Sequence, residues 1–187
     1  MEDILSLYSE PYDPKRPLVC FDEQSVQLIA ETRCPIPVKS GKPRRFDYEY
    51  RRNGTRNLFA FFQPLAGWRH VKVTERRTKI DFSYCMRDLT DVFFPQADVI
   101  RVVQDNLNIH TPASLYEAFE PFEARRILSR LEFHYTPKHA SWLNMVEIEL
   151  SVLSGQCLDR RIPDEAILRR EIAAWEKTRN AQQATVD

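Results

Sequence analysis

The sequence predicts an α/β fold, a mixed sheet of three antiparallel strands followed by two parallel strands, flanked by helices. Two observations carry this expectation. Up to Thr74 the chain reads as short apolar strand segments separated by turn residues. From Ile80 onward, stretches of helical spacing alternate with two compact apolar strands. No internal repeat or low-complexity tract is visible.

Residues 1–17 are polar and punctuated by Pro11, Pro14 and Pro17, and read as a lead-in segment. Leu18 to Phe21 is an apolar run of strand type, which Val26 to Ala30 continues after a kink. Pro35 to Arg45 makes a loop. Phe46–Arg51 and Asn57–Gln63 flank Asn53-Gly54, a hairpin signal because both positions tolerate positive φ. Leu65-Ala66-Gly67 then turns the chain into His70–Thr74, whose Val71 and Val73 share a face.

Ile80, Phe82, Met86, Leu89, Val92 and Phe93 recur at helical spacing. Val99 to Val103 is a β-branched strand. Thr111 as N-cap and Pro112 at the first helical position open a helix expected to reach Arg130. Leu131–Tyr135 is the last strand and Pro137 breaks it. Asn144–Leu158 and Pro163–Gln183 read as helices, the second with a stripe of Leu168, Ile172 and Trp175.

At 187 residues and 22.1 kDa the chain is most simply one domain, 18–187, after its lead-in. The N-terminus MEDILSLYSE is acidic and is no signal peptide, and no apolar run could span a bilayer, so no membrane partner is expected. Cys20, Cys34, Cys85 and Cys157 are scattered without a C-x-x-C pair, which disfavours a zinc site or disulfide framework and favours a reduced cytoplasmic setting. The four glycines are too far apart for a phosphate-cradling loop, which excludes P-loop and dinucleotide readings.

Net charge is zero, but it is unevenly spread. Arg33 to Lys79 holds thirteen basic residues against three acids, an excess of ten that the rest of the chain offsets. Such a segment fits a polyanion partner, and it equally describes a solvated hairpin face.

Three acids stand out. Asp105 follows the apolar strand and should emerge at its carboxyl end, where open α/β sheets place ligands; Asp-Asn is also ordinary turn chemistry. Asp22 lies in or just after an apolar strand, where an unpaired carboxylate is costly to desolvate. Glu23 would point to the opposite face if the strand continues, so only one of the two can face a site. The third acid is Glu147 or Glu149, which lie about 200° apart on a helix and cannot serve one site together. Three carboxylates suit magnesium or manganese, and two such ions are a recognised device for phosphodiester chemistry. Other candidates are weaker. Ser141 and His139 lack a nucleophile elbow, Cys20 reads as inert core, and Trp68, Trp142 and Trp175 read as core more readily than as base-stacking platforms, although Trp142 lies in the catalytic-looking loop.

FDEQ (Phe21–Gln24), VVQDNLNIH (Val102–His110) and YTPKHASWLNMVEIELS (Tyr135–Ser151) together resemble the catalytic domain of bacterial insertion-sequence transposases of the branch related to mariner elements. DYEY (Asp47–Tyr50), PLAGWRHV (Pro64–Val71), TERRTKIDF (Thr74–Phe82) and GQCLDRRIPD (Gly155–Asp164) are similar to that group as well. The resemblance implies an RNase H-like fold with an Asp-Asp-Glu triad falling on Asp22, Asp105 and Glu147, with Glu149 as the fallback. It implies two magnesium or manganese ions, and DNA as partner, both transposon ends and target. His110 and Lys138 would contact the scissile phosphate, and the hairpin bearing Arg44, Arg45, Arg51, Arg52 and Arg56 would track the DNA backbone.

Relatives carry a helix-turn-helix region ahead of this domain and a basic tail after it, and neither is seen here. The expectation is a split element with a separate helix-turn-helix polypeptide, or a shortened or decayed copy; because relatives act as paired subunits, the resemblance also implies a homodimer, in the cytoplasm at the nucleoid. The rival expectations are a non-catalytic remnant that binds DNA or intact transposase, and an RNase H-like nuclease without strand transfer.

Overall fold

A computed structural model describes residues 1–43, 45 and 47–185. Its strands β1 (Leu18–Glu31), β2 (Tyr50–Gln63) and β3 (Trp68–Thr74) form an antiparallel meander. β4 (Ile100–Gln104) and β5 (Leu131–Tyr135) add in parallel on the other side of β1, giving the order β3-β2-β1-β4-β5. This is the predicted mixed sheet.

Alternation along β1 sorts its side chains into two cores. Leu18 and Cys20 join Leu58, Ala60 and Phe62 beneath α1 (Glu2–Ser9), α5 (Val146–Leu153) and α6 (Glu165–Ala181). Val19 and Phe21 join Phe59, Phe61 and Val102 on the opposite face. That second core is closed by α2 (Lys79–Asp88), α3 (Pro112–Ala118) and α4 (Pro121–Leu128). Among the described residues, no helix is long and apolar enough to cross a membrane.

Four local expectations change. The lead-in contains α1, whose Ile4 and Leu7 are buried one turn apart. A helix of eight residues is marginal alone, so its stability comes from this packing. Asn53-Gly54 is not a hairpin: β2 runs straight through it. Leu28 of β1 faces both Asn53 and Gly54, and Gly54 takes φ +96°. The positive φ that the sequence signals thus serves a β-bulge. The hairpin itself is β1–β2, closed by the long loop after Glu31.

The helix expected from Pro112 to Arg130 is two helices. Pro121 disfavours helical backbone at the preceding residue, and Glu120 and Phe119 are extended at ψ 149° and 154°. The helix from Ile80 begins earlier, at a capping box between Thr78 and Asp81, and ends in a π turn at Leu89–Phe93.

Candidate active site

β1 continues unbroken through Asp22 and Glu23, so alternation sends them to opposite faces. Asp22 follows Cys20 toward the α5 side, and Glu23 follows Phe21 into the second core. The Asp22 Oδ1 accepts the Glu23 backbone N–H at 2.7 Å. Burial pushes the Asp22 carboxyl up from 3.8 to about 7, and the negative charges of Glu23 and Asp105 push the same way. Asp22 and Asp105 are thus near enough to feel one another, as β1 and β4 are neighbouring parallel strands.

Asp105 is the first residue beyond β4, at its carboxyl end, with its side chain 36% exposed. Its Oδ1 lies 2.6 Å from His110 Nδ1, whose ring nitrogen also meets the Asp105 backbone carbonyl at 3.2 Å, and it accepts from the Leu107 N–H at 3.2 Å. The imidazole contact is the main reason its carboxyl is held below the usual range.

His110 is fully buried and does not reach solvent. Its Nε2 lies 2.9 Å from Glu23 Oε2, so its two ring nitrogens join the carboxylates of Asp105 and Glu23. Burial alone would push the imidazole down, but hydrogen bonds to Asp105 and Glu23 outweigh it and raise its pKa to about 9. His110, expected at a DNA phosphate, thus lies buried with both ring nitrogens facing carboxylates. Phe21 and Phe82 pack on it with centroids 5.5 and 5.1 Å away, and Gln104 and Tyr135 both donate to its carbonyl.

Glu147 sits in the first turn of α5, half-buried. With Ser151 and Ser154 it forms one stripe at i, i+4 and i+7. Ser154 accepts from the Gln24 side chain at 3.1 Å, and Gln24 lies two residues past Asp22 on the same face of β1. The stripe bearing Glu147 thus lies along the face of β1 that carries Asp22. Glu149 points away, buried between Arg69 at 3.0 Å and Arg179 at 2.7 Å. Its charge is fully committed to structure. Among the described residues, no three His, Cys, Asp or Glu side chains are gathered as a metal site. Asp22 and Asp105 sense one another's charge, and among the described residues no third acid completes a cluster with them.

Beside Asp105 lies a cleft of about 500 Å³ lined by Asn106, Leu107, Thr136, Lys138, His139 and Ser141. Lys138 is exposed there, and His139 adopts φ +66° at the tip of the loop. Trp142, expected in the core, is 67% exposed because the 3-10 turn at Ser141–Leu143 turns Leu143 inward instead. Arg45, Arg51 and Arg52 are exposed, whereas Arg56 is paired with Glu165. Arg44 lies outside the described residues. Arg52 pairs across β1 with Ile29, seven residues from Asp22, roughly 23 Å along the strand.

Two residues absent from the expected site belong to it. Glu23 fills the place opposite Asp22, and Arg77 Nη1 stands 3.6 Å from Glu23 Oε1. The signal for Glu23 was present in the sequence: a carboxylate turned into an apolar core needs a donor, and His110 is the imidazole available.

Residues 17–169 match the family described as DDE superfamily endonuclease. No curated protein matches significantly. Among solved structures, the chain is similar to a Mos1 transposase paired-end complex with left transposon end, at 15% identity and TM-score 0.63, over 97% of this chain and 55% of that one. It is also similar to the Mos1 strand transfer complex, at 14% identity and TM-score 0.62, over 94% and 51%. A simian T-cell lymphotropic virus intasome aligns at 13% identity and TM-score 0.50, over 87% and 50%. The chain spans about half the length of these chains, and at such identities the likeness concerns the fold alone. That fold is the RNase H-like sheet of transposase catalytic domains. With most of its length matched by the family's sequence pattern, the chain belongs to the DDE superfamily of endonucleases.

Proposed function

We propose that this chain is the catalytic domain of an insertion-sequence transposase related to mariner elements, with residues 18–187 as the catalytic unit. In this reading it cuts DNA phosphodiesters and joins the freed 3′-hydroxyl to target DNA. The observation that carries it is the pair formed by Asp22, in β1 just past its pairing with β4, and Asp105 at the carboxyl end of β4, which sense one another's charge. A half-buried carboxyl pushed up to about 7 by burial and by neighbouring acids is the donor chemistry that a hard divalent cation relieves.

The donor set fits magnesium or manganese in kind. Asp22 and Asp105 would hold the ions, with Glu147 assigned as third ligand from its place on the α5 stripe; Glu149 is spent on Arg69 and Arg179. When bound, a pair of such ions activates the attacking oxygen and stabilises the leaving oxygen. The chain supplies the rest. His110 anchors one oxygen of Asp105, and Lys138 in the adjoining cleft is placed to attract a phosphate. Arg51 and Arg52 extend a cationic edge along β2 at a distance suited to duplex several base pairs away. One similar structure is a transposase paired-end complex with a transposon end, which supports two copies of this chain working together, joined by a polypeptide that recognises the ends.

The test is nicking and joining of DNA with magnesium, comparing the protein with Asp105→Asn. Magnesium-dependent nicks that disappear in the variant, together with joined products, support the reading. Equal activity in both removes Asp105 from the mechanism, and nicks without joined products indicate a nuclease only. One observation favours a second reading, a DNA-binding remnant without cleavage: the three acids are not gathered together. Full DNA binding with no metal-dependent cleavage at any divalent concentration would select it.

A further inference from the structure

We propose that Glu23 is a positioning residue for Asp105, acting through His110, and that it fixes the carboxylate that faces the divalent cation. The inference rests on the reading of Asp105 as a metal ligand.

The geometry is a single buried file. Glu23 Oε2 lies 2.9 Å from His110 Nε2, and His110 Nδ1 lies 2.6 Å from Asp105 Oδ1. The side chains of Glu23 and His110 are 2% and 0% exposed, while that of Asp105 is 36% exposed at the edge of the cleft. The file therefore runs from the interior outward and ends on the carboxylate that a cation would meet. His110 Nδ1 holds Asp105 at two points, its backbone carbonyl at 3.2 Å and its Oδ1 at 2.6 Å, and the same Oδ1 accepts from the Leu107 N–H. Among the described residues its Oδ2 accepts none.

Packing alone does not explain Glu23. The position of His110 is already set by Phe21 and Phe82 against its ring and by Gln104 and Tyr135 on its carbonyl. What these contacts leave open is a half-turn of the ring about its own axis, which would take Nδ1 off Asp105. An acceptor on Nε2 forbids that turn, and Glu23 is that acceptor. Glu23 is turned into an apolar core where His110 meets its Oε2 at 2.9 Å, while its Oε1 has no hydrogen-bond partner and Arg77 stands 3.6 Å away. A buried ionised pair is weak evidence of stabilisation, since apolar residues in place of both partners are often at least as stable. Its use is directional. Asp105 begins an irregular loop, and an anchored imidazole gives its carboxylate the rigidity that the backbone there does not.

The test is a double-mutant cycle read by manganese binding, followed by electron paramagnetic resonance on the full chain, with Glu23→Leu, Glu23→Gln and Asp105→Asn. Glu23→Leu is expected to weaken manganese binding by about tenfold. Glu23→Gln, whose amide oxygen can still accept from Nε2, should recover most of that loss. Adding Glu23→Leu to Asp105→Asn should cost nothing further, because Glu23 acts only through Asp105. Additive losses, or wild-type affinity in Glu23→Leu beside impaired Asp105→Asn, overturn the proposal and leave the metal reading intact. Unchanged affinity in Asp105→Asn overturns the metal reading and this proposal with it. A second measurement needs no variant: the His110 ring nitrogens, observed by long-range ¹H–¹⁵N correlation, should shift on saturation with magnesium. Ring signals that stay fixed overturn the proposal.

Discussion

The Asn144 side-chain amide donates to the Phe21 carbonyl at 2.9 Å, tying the turn that leads into α5 to the strand residue immediately ahead of Asp22. Asn144 is buried, and the neighbouring Leu143 carbonyl accepts from Tyr8 of α1 at 2.7 Å. Two elements distant in sequence thus clamp the segment that positions Glu147. Asn144→Leu keeps the branched shape and strands the Phe21 carbonyl. A loss of about 1–3 kcal/mol in urea unfolding is expected. Cleavage at a temperature where the variant remains folded should fall further than that loss accounts for. Full cleavage by a destabilised variant would show that the clamp serves stability only.

Glu147 and Glu149 should separate cleanly. Glu149→Gln breaks a buried pair with Arg69 and Arg179 and should cost about 3–5 kcal/mol. Glu147→Gln should leave the melting temperature within a degree or two, yet abolish metal-dependent nicking. The two measurements are thermal unfolding and a nicking assay. The reverse pattern would return the third ligand to Glu149.

Asp22 makes stability depend on pH in a direction unusual for an aspartate. Its folded pKa of about 7 lies above the unfolded 3.8, so between these values the folded chain holds more proton. Stability therefore falls as pH rises through this window, and the loss is complete above the folded pKa. With chelator present, Asp22→Asn should melt higher than the wild type by several degrees at about pH 8, with the gap closing toward about pH 4. Magnesium at the higher pH should raise the wild type alone. A gap that does not vary with pH would refute the assignment.

Arg51 and Arg52 are exposed along β2, whereas Arg56 is held by Glu165. Arg51→Ser and Arg52→Ser should each lower the salt dependence of DNA binding by about 0.9 in log–log slope, with little effect on melting. Arg56→Ser should instead loosen the contact between β2 and α6 and leave the slope nearly unchanged. Equal slopes in all three variants and the wild type would remove this strand from the DNA path.

Much of the fold was legible because burial imposes a period on the sequence. The period-two pairing of Val71 with Val73, the β-branched run at Val99–Val103 and the stripe at Leu168, Ile172 and Trp175 each declared their element locally. What misled was local chemistry that serves more than one geometry. Asn53-Gly54 permits a positive φ, and a bulge uses it as well as a turn does. The polar lead-in hid α1, because eight residues become a helix only when Ile4 and Leu7 find the sheet.

The site divides in the same way. Covalent spacing along the chain determined that Asp105 ends a strand, that Asp22 and Glu23 face opposite ways, and that Glu147 and Glu149 cannot share a site, since strand and helix periods are properties of the backbone. Only the tertiary structure decided what each carboxylate meets. It joined Glu23 to His110 across 87 residues and gave Glu149 to Arg69 and Arg179. It also took His110 out of reach of solvent. Such partners are chosen by the closing of a core, where a buried charge must find its complement wherever the chain happens to bring one.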